Sequence, residues 1–389
     1  MPIIGISGSY GGLNLGDEAI LASAITQLRM AMPGVEVVAF SRNAEHTRRN
    51  HDVDRAINAR SALRDQITPE VRRLDMLLLG GGGILYDSEA KTYLREVSIA
   101  QEFGVPTFAF AIGIGPLRDR EEREAVREGL NRMAGITVRE ITAKRLCEEI
   151  GVRTPIAVTA DPALLLAPEP FTDEMLSREG IPTDTRLIGV SIRELGAAAP
   201  DLDNAAYHDL IANAAEYMVR RFDAHAVFVP MERADLREIH RVISRMGTAN
   251  RTHVLKGDYR PRRILDLMRR FDLAVGMRLH FLIFAALSGV PLMALPYAPK
   301  VMDFLTSLGI PQRTAIEEAH AGAFLADLDR LWDERAEQLG IVARRLPELQ
   351  ALSRLTVPLA ARVIGLVPTA DGDGPPPTGE DFASTPIAF

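Results

Sequence analysis

The sequence predicts an α/β protein made of two Rossmann-like, doubly wound domains facing a cleft, and three observations carry that expectation. Short β-rich runs alternate with amphipathic or alanine-rich segments over most of the 389 residues, the pattern of parallel sheets joined by crossover helices. A proline-containing stretch, APEPFTDEMLSREGIPTD, interrupts the alternation and reads as an interdomain connection. DMLLLGGGGI at 75 and DLAVGMRLHF at 272 each set an acidic residue before an apolar strand that runs into glycine and then a helix, as two related architectures would.

Taken in order, strands are expected near 3–8, 35–40, 75–80, 106–111, 136–139 and 156–159, with helices near 17–31, 60–73, 89–102, 120–133 and 140–150. After the connection, strands are expected near 187–192, 225–229, 252–255, 272–275 and 291–295. Helices follow near 203–221, 232–246, 261–270, 278–288 and 299–307. The domains are therefore drawn at 1–168 and 183–320. Residues 321–367 read as a C-terminal helical segment, and 368–389, rich in Pro, Gly and acidic residues, as a disordered tail.

Composition narrows the function classes. A net charge of −7 and a pI near 5.7 argue against nucleic acid as a partner. One cysteine, Cys147, excludes an intrachain disulfide framework and fits a cytoplasmic setting. The opening MPIIGISGSY lacks the marks of a secretory signal and reads as a first strand; FLIFAALSGVPLMAL is too broken by Gly289 and Pro291 to span a bilayer. The basic segment YRPRRILDLMRR, at 259–270, is either a solvated face or a peripheral contact with the inner face of the cell membrane.

Several strand ends carry chemistry. In GSYGGLNLGDEAIL the glycines at 8, 11, 12 and 16 admit close approach of a ligand to a helix N-terminus, and Asp17 either caps that helix or takes part in catalysis. LLLGGGGILYD sets Gly81 and Gly82 after a buried-looking strand, for ligand approach or for tight packing, and Tyr86 and Asp87 could meet a sugar. Arg139, in ITVREITAKRL, offers a planar fork for a carboxylate or phosphate unless Glu140 pairs with it. Asp161, in VTADPALLL, either lines the cleft or braces a turn.

GMRLHFLIFAALSGVP and YAPKV bring Arg278, His280 and Lys300 to the ends of what should be neighbouring parallel strands, roughly 5 Å apart. Cations gathered at one edge call for a small, multiply anionic ligand. The eight histidines show no paired metal-ligand spacing.

In this order, GSYGGLNLGDEAIL, LLLGGGGILYD, FAFAIGIGPL, ITVRE, VTADPALLL, GMRLHFLIFAALSGVP and YAPKV make the chain resemble the polysaccharide pyruvyl transferases over roughly residues 3–310. The resemblance implies a fold similar to glycosyltransferases of the B type. It also implies transfer of the pyruvyl group of phosphoenolpyruvate to a sugar of a cell-wall polymer, an exopolysaccharide or a lipid-linked precursor, giving a pyruvate ketal. Carried over by motif, Arg139, His280 and Lys300 would bind the donor, with Arg278 as a helper. His280 would be the general acid and Asp17 the base for the acceptor hydroxyl, while the first-half glycine loops, with Gly81, Gly82 and Tyr86, would shape the acceptor pocket. No cofactor or metal is called for beyond the donor itself. Two rivals stand beside this reading: a nucleotide-sugar glycosyltransferase on the same architecture, and a non-catalytic glycan-binding protein.

Overall fold

The computed structural model describes residues 1–12, 14–195, 203–295, 298–311 and 321–366. It forms two units, and the expected α/β class with parallel sheets holds in both. The first unit takes the chain before Asn14, Asp17–Leu166 and the chain from Leu349 onward; the second takes Asn14–Gly16 and Ala167–Glu348.

In the first unit, apolar runs such as MLLL are buried along their whole length, as strands covered by helices on both faces must be. The strands are β1 (Ile3–Ser7), β2 (Glu36–Ser41), β3 (Arg55–Asn58), β4 (Met76–Leu79), β5 (Gly82–Leu85), β6 (Thr107–Ile114), β7 (Gly135–Val138) and β8 (Ile156–Val158). Among the described residues they form an eight-stranded sheet in the order β3-β2-β1-β4-β6-β7-β8, with β5 paired to β6. The helices are α1 (Leu15–Ala31), α2 (Ala44–Asn50), α3 (Arg64–Val71), α4 (Ala90–Glu102), α5 (Arg120–Asn131) and α6 (Ile141–Glu149). β1 is flanked by β2 and β4, so the strand order reverses beside it and the loops that leave β1 and β4 flank a switch point, the usual place for a ligand.

The second unit follows with α7 (Asp173–Arg178), β9 (Arg186–Ser191), α8 (Asn204–Arg221), β10 (Ala224–Phe228), α9 (Asp235–Ile243), β11 (Thr252–Val254), α10 (Pro261–Met268), β12 (Leu273–Gly276), α11 (Leu279–Leu287), β13 (Leu292–Ala294) and α12 (Pro299–Leu308). Its sheet, β11-β10-β9-β12-β13, is again parallel, with the order reversing between β9 and β12. The acids that open the two similar stretches do the same job in each unit. Asp75 accepts a hydrogen bond from the Ile3 amide at 2.7 Å and Asp272 from the Leu187 amide at 3.0 Å, each tying the start of a flanking strand to the central one.

Where the C-terminal helical segment was expected, the described residues form α13 (Ala321–Arg354), which is divided between the units, and α14 (Thr356–Val363), which belongs to the first. Phe324, Leu328 and Leu331 join the second core, where Trp332 stacks on Phe222 at 4.3 Å. Gln338 exchanges two hydrogen bonds with the Leu292 backbone and so satisfies the edge strand β13. Val357, Ala360 and Ala361 complete a core of the first unit together with Leu21 and Ile25. The tail expected at 368–389 lies outside the described residues. Among those residues, no helix is long and apolar enough to cross a membrane.

Candidate functional site

In the second unit, the carboxyl ends of adjacent strands carry the residues singled out in the sequence. Arg278 stands at the N-cap of α11, His280 in its first turn, and Lys300 in the first turn of α12. β12 and β13 pair with Gly276 opposite Ala294, so these helices start from neighbouring strand ends. Arg278 is buried and paired: Nε donates to Asp235 at 3.1 Å, and Nη2 bonds both Asp235 and Glu232. Burial lowers its pKa, but the two carboxylates outweigh that and hold it above the usual value. The inference that Arg278 joins an uncompensated cation cluster therefore fails, because its counter-anions come from the chain itself. Lys300 differs, making no ion pair with a carboxylate among the described residues.

Asp235 also accepts the amides of Met231 and Glu232, so the Arg278 pair braces the turn between β10 and α9. That turn holds residues 14–16. The Leu15 amide donates to the Met231 carbonyl at 2.8 Å, and Asn14 reaches Glu232 at 3.2 Å. The Asn14 side chain accepts the Gly16 amide at 2.9 Å. A Cβ on Gly16 would overlap the imidazole of His280, which is why this helical position is glycine.

In the first unit, α1 begins at Leu15, so Asp17 lies inside the first turn and is not its cap. The next residue, Glu18, is buried; it accepts the Gly11 amide at 2.7 Å and bonds Nε2 of His51 at 2.5 Å. Gly11 has φ +66° and no room for a Cβ beside Ser41, so both its conformation and its packing require glycine. Tyr10 is fully buried, wedged where side chains on Gly8 or Gly80 would be. The glycine run serves packing first: a Cβ on Gly81 would meet Ile20 at 2.9 Å. Gly82, at φ +107°, faces Asp17, whose Oδ1 would stand 2.9 Å from an added Cβ.

Tyr86 is half-buried, and burial, with Tyr93 and Glu89 nearby, pushes its hydroxyl up to about 12. Asp87 is occupied by the amides of Arg118 and Asp119 and is a bracing group rather than an open sugar contact. Arg139 lies at the end of β7 with its side chain buried between two carboxylates, Glu140 and Asp161, each at 2.8 Å. Burial lowers the guanidinium's pKa and the carboxylates more than reverse it. Asp161 also caps a 3-10 turn by accepting the Ala163 amide at 2.9 Å, so it braces a turn and holds Arg139 at once.

The sequence matches the family described as Polysaccharide pyruvyl transferase over residues 14–299. The chain belongs to the polysaccharide pyruvyl transferase family. The match ends one residue before Lys300. Comparison with curated proteins gives no match. Among solved structures, similar folds include the S. aureus MnaA–UDP co-structure (TM-score 0.68, 11% identity, covering 96% of this chain and 100% of that one). They also include a putative UDP-N-acetylglucosamine 2-epimerase from Listeria monocytogenes (TM-score 0.65, 13% identity, 97% and 98%) and a glycosyltransferase from Rickettsia africae (TM-score 0.61, 12% identity, 93% and 98%). These likenesses establish for this pyruvyl transferase family member a fold of the glycosyltransferase B type.

Other residues at the strand ends escaped the sequence reading. His51, Glu232 and Asp235 sit in stretches without a glycine-rich strand end, Glu18 sits inside one beside Asp17, and the partners that give them a role are remote in the chain. The acid one place after Asp17 was the one available hint. The basic segment at 259–270 is largely neutralised locally, with Arg262 near Glu169, Arg269 near Asp266 and Arg270 on Asp173, which weakens its reading as a membrane contact. Among the described residues no group of three or more His, Cys, Asp or Glu side chains could hold a metal ion.

Proposed function

We propose that this member of the family transfers the pyruvyl group of phosphoenolpyruvate to two hydroxyls of one sugar in a glycan or lipid-linked glycan, forming a ketal and releasing phosphate. The observation that supports this best is the placement of a histidine and of a lysine that makes no ion pair among the described residues: His280 and Lys300 stand in the first turns of helices leaving adjacent strands β12 and β13. Phosphoenolpyruvate is small and multiply anionic, and suits such an edge.

In this scheme His280 protonates the methylene carbon of the donor, and one sugar hydroxyl adds to C2 while Asp17 takes its proton. The bond between C2 and the phosphate oxygen then breaks, with Lys300 stabilising the departing charge. The second hydroxyl closes on C2, and its proton leaves with the phosphate. Arg139 and Arg278, each neutralised by two carboxylates, contribute by position and hydrogen bonding more than by net charge.

Calorimetric titration tests the donor. Phosphoenolpyruvate should bind the wild type saturably, and Lys300→Ala should lose that binding, while UDP and a UDP-sugar should not bind. Binding of UDP alone would replace this reading with nucleotide-sugar glycosyl transfer. His280→Asn should keep donor binding within a few-fold and lose turnover; full activity in that variant would remove His280 as the acid.

A further inference from the structure

We propose that Arg42 and Arg60 form an anion-binding subsite on Tyr93 at the carboxyl edge of the first sheet, and that the acceptor sugar carries an oxyanion that docks there. This rests on reading the first unit as the acceptor side, with Asp17 as base.

The two arginines stand at neighbouring strand ends. Arg42 directly follows β2 and Arg60 comes two residues after β3, on the edge where open α/β sheets bind ligands. Arg42 donates from Nη2 to the Tyr93 hydroxyl at 2.9 Å. The Arg60 guanidinium lies 4.2 Å from the centre of the same ring, with Nη1 on the Thr92 carbonyl at 3.0 Å. Tyr93 itself is buried, so the two guanidinium groups share one fixed platform.

Neither arginine is paired with a carboxylate among the described residues, although Glu89 is near enough to act on Arg42 through its charge. The contrast with Arg139, Arg278 and Arg95 is sharp, since each of those is held by a carboxylate in ion-pair contact. Two like charges on one ring are unfavourable until an anion joins them, and guanidinium forks match carboxylate and phosphate oxygens.

Both loops are held in place. Arg95, fixed by the buried Glu96, bonds the carbonyls of Ala59 and Ala62 on either side of Arg60. The Arg42 amide and the Ser41 hydroxyl both donate to the Tyr10 carbonyl, and a Cβ on Gly12 would come within 3.2 Å of the Arg42 side chain. Such preorganisation is what an anion site requires.

The test is calorimetric titration of the full chain at low ionic strength with glucose, glucose 1-phosphate and glucuronate. The wild type should bind one or both charged sugars and not glucose; which one binds tells a phosphate ester from a carboxylate. R42Q and R60Q should each weaken that binding roughly tenfold or more. R48Q, at an exposed arginine on α2, should match the wild type. Tyr93→Phe keeps the ring under Arg60 and removes the partner of Arg42, so it should cause a smaller loss with an unchanged melting temperature. Wild-type binding in both R42Q and R60Q, or no binding of either charged sugar, overturns the proposal. So would a parallel loss of phosphoenolpyruvate binding in these variants, which would put the arginines on the donor. Failure of the wild type to bind phosphoenolpyruvate sinks the pyruvyl reading separately, leaving the sugar titrations to judge the subsite.

Discussion

Gly16 and Arg278 show how single residues carry the candidate site. A methyl group at position 16 would overlap His280, so Gly16→Ala forces the imidazole to move. A displacement near 1 Å costs about 100-fold in rate where geometry governs catalysis. Turnover of Gly16→Ala should fall by about that factor with little change in melting temperature, and an unchanged rate would mean that the position of His280 does not matter. Arg278→Met leaves Asp235 buried without its cation and should cost about 3–5 kcal/mol in denaturant unfolding at pH 7. Glu232 adds a pH signature. Burial raises its pKa, but the charge and hydrogen bond of Arg278 prevail and hold it below the ordinary 4.5. A depressed carboxylate stabilises the fold above the unfolded value and loses that contribution as pH falls through the folded one. Glu232→Gln should therefore be less stable than the wild type at neutral pH, with the gap closing under acid.

At the scale of elements, the first turn of α1 and the loop before it act as one piece through Glu18. Its carboxylate bonds the Gly11 amide and His51 together, and Glu18→Ala would strand both buried partners, at about 1–3 kcal/mol each. Hydrogen exchange at the Gly11 amide should accelerate and the melting temperature should drop; Glu18→Gln, which keeps an acceptor for Gly11, should recover part of the loss. Little of this was legible beforehand, because His51 lies 33 residues from Glu18 in the sequence. The strands and helices themselves were far more legible, since short apolar runs that end in glycine or a turn, such as MLLL and LAVG, favour buried strands. The elements missed were α2, β3, β5 and α7. They are short and polar, or, in GGIL, built from a residue depleted in strands, and pairing with β6 overrides that propensity.

For the molecule as a whole, the chain returns to the first unit from Leu349 onward, and that return bears on stability. Val357, Ala360 and Ala361 fill a core begun more than 300 residues earlier by Ile4 and Ile6, and Thr356 bonds Thr159 at 3.1 Å. Ala360→Asp would set a charge among these apolar groups and should destabilise by several kcal/mol. Chemical denaturation would register this as a lower midpoint, and an unchanged midpoint would mean that α14 contributes nothing to that core.

The sequence by itself determined the fold class, the order of most elements and the places where chemistry gathers, because periodicity, glycine after a strand and charge at a strand end are local signals. It also determined family membership, since the motifs recur in order along the chain. Only the tertiary structure decided which charges remain uncompensated. Arg278 is neutralised by acids more than 40 residues away and Arg139 by Asp161, while Arg42 and Arg60, unremarked in the sequence, meet on one tyrosine. Compensation depends on distances of a few ångströms between segments that the sheet order brings together, and no spacing along the chain encodes those distances.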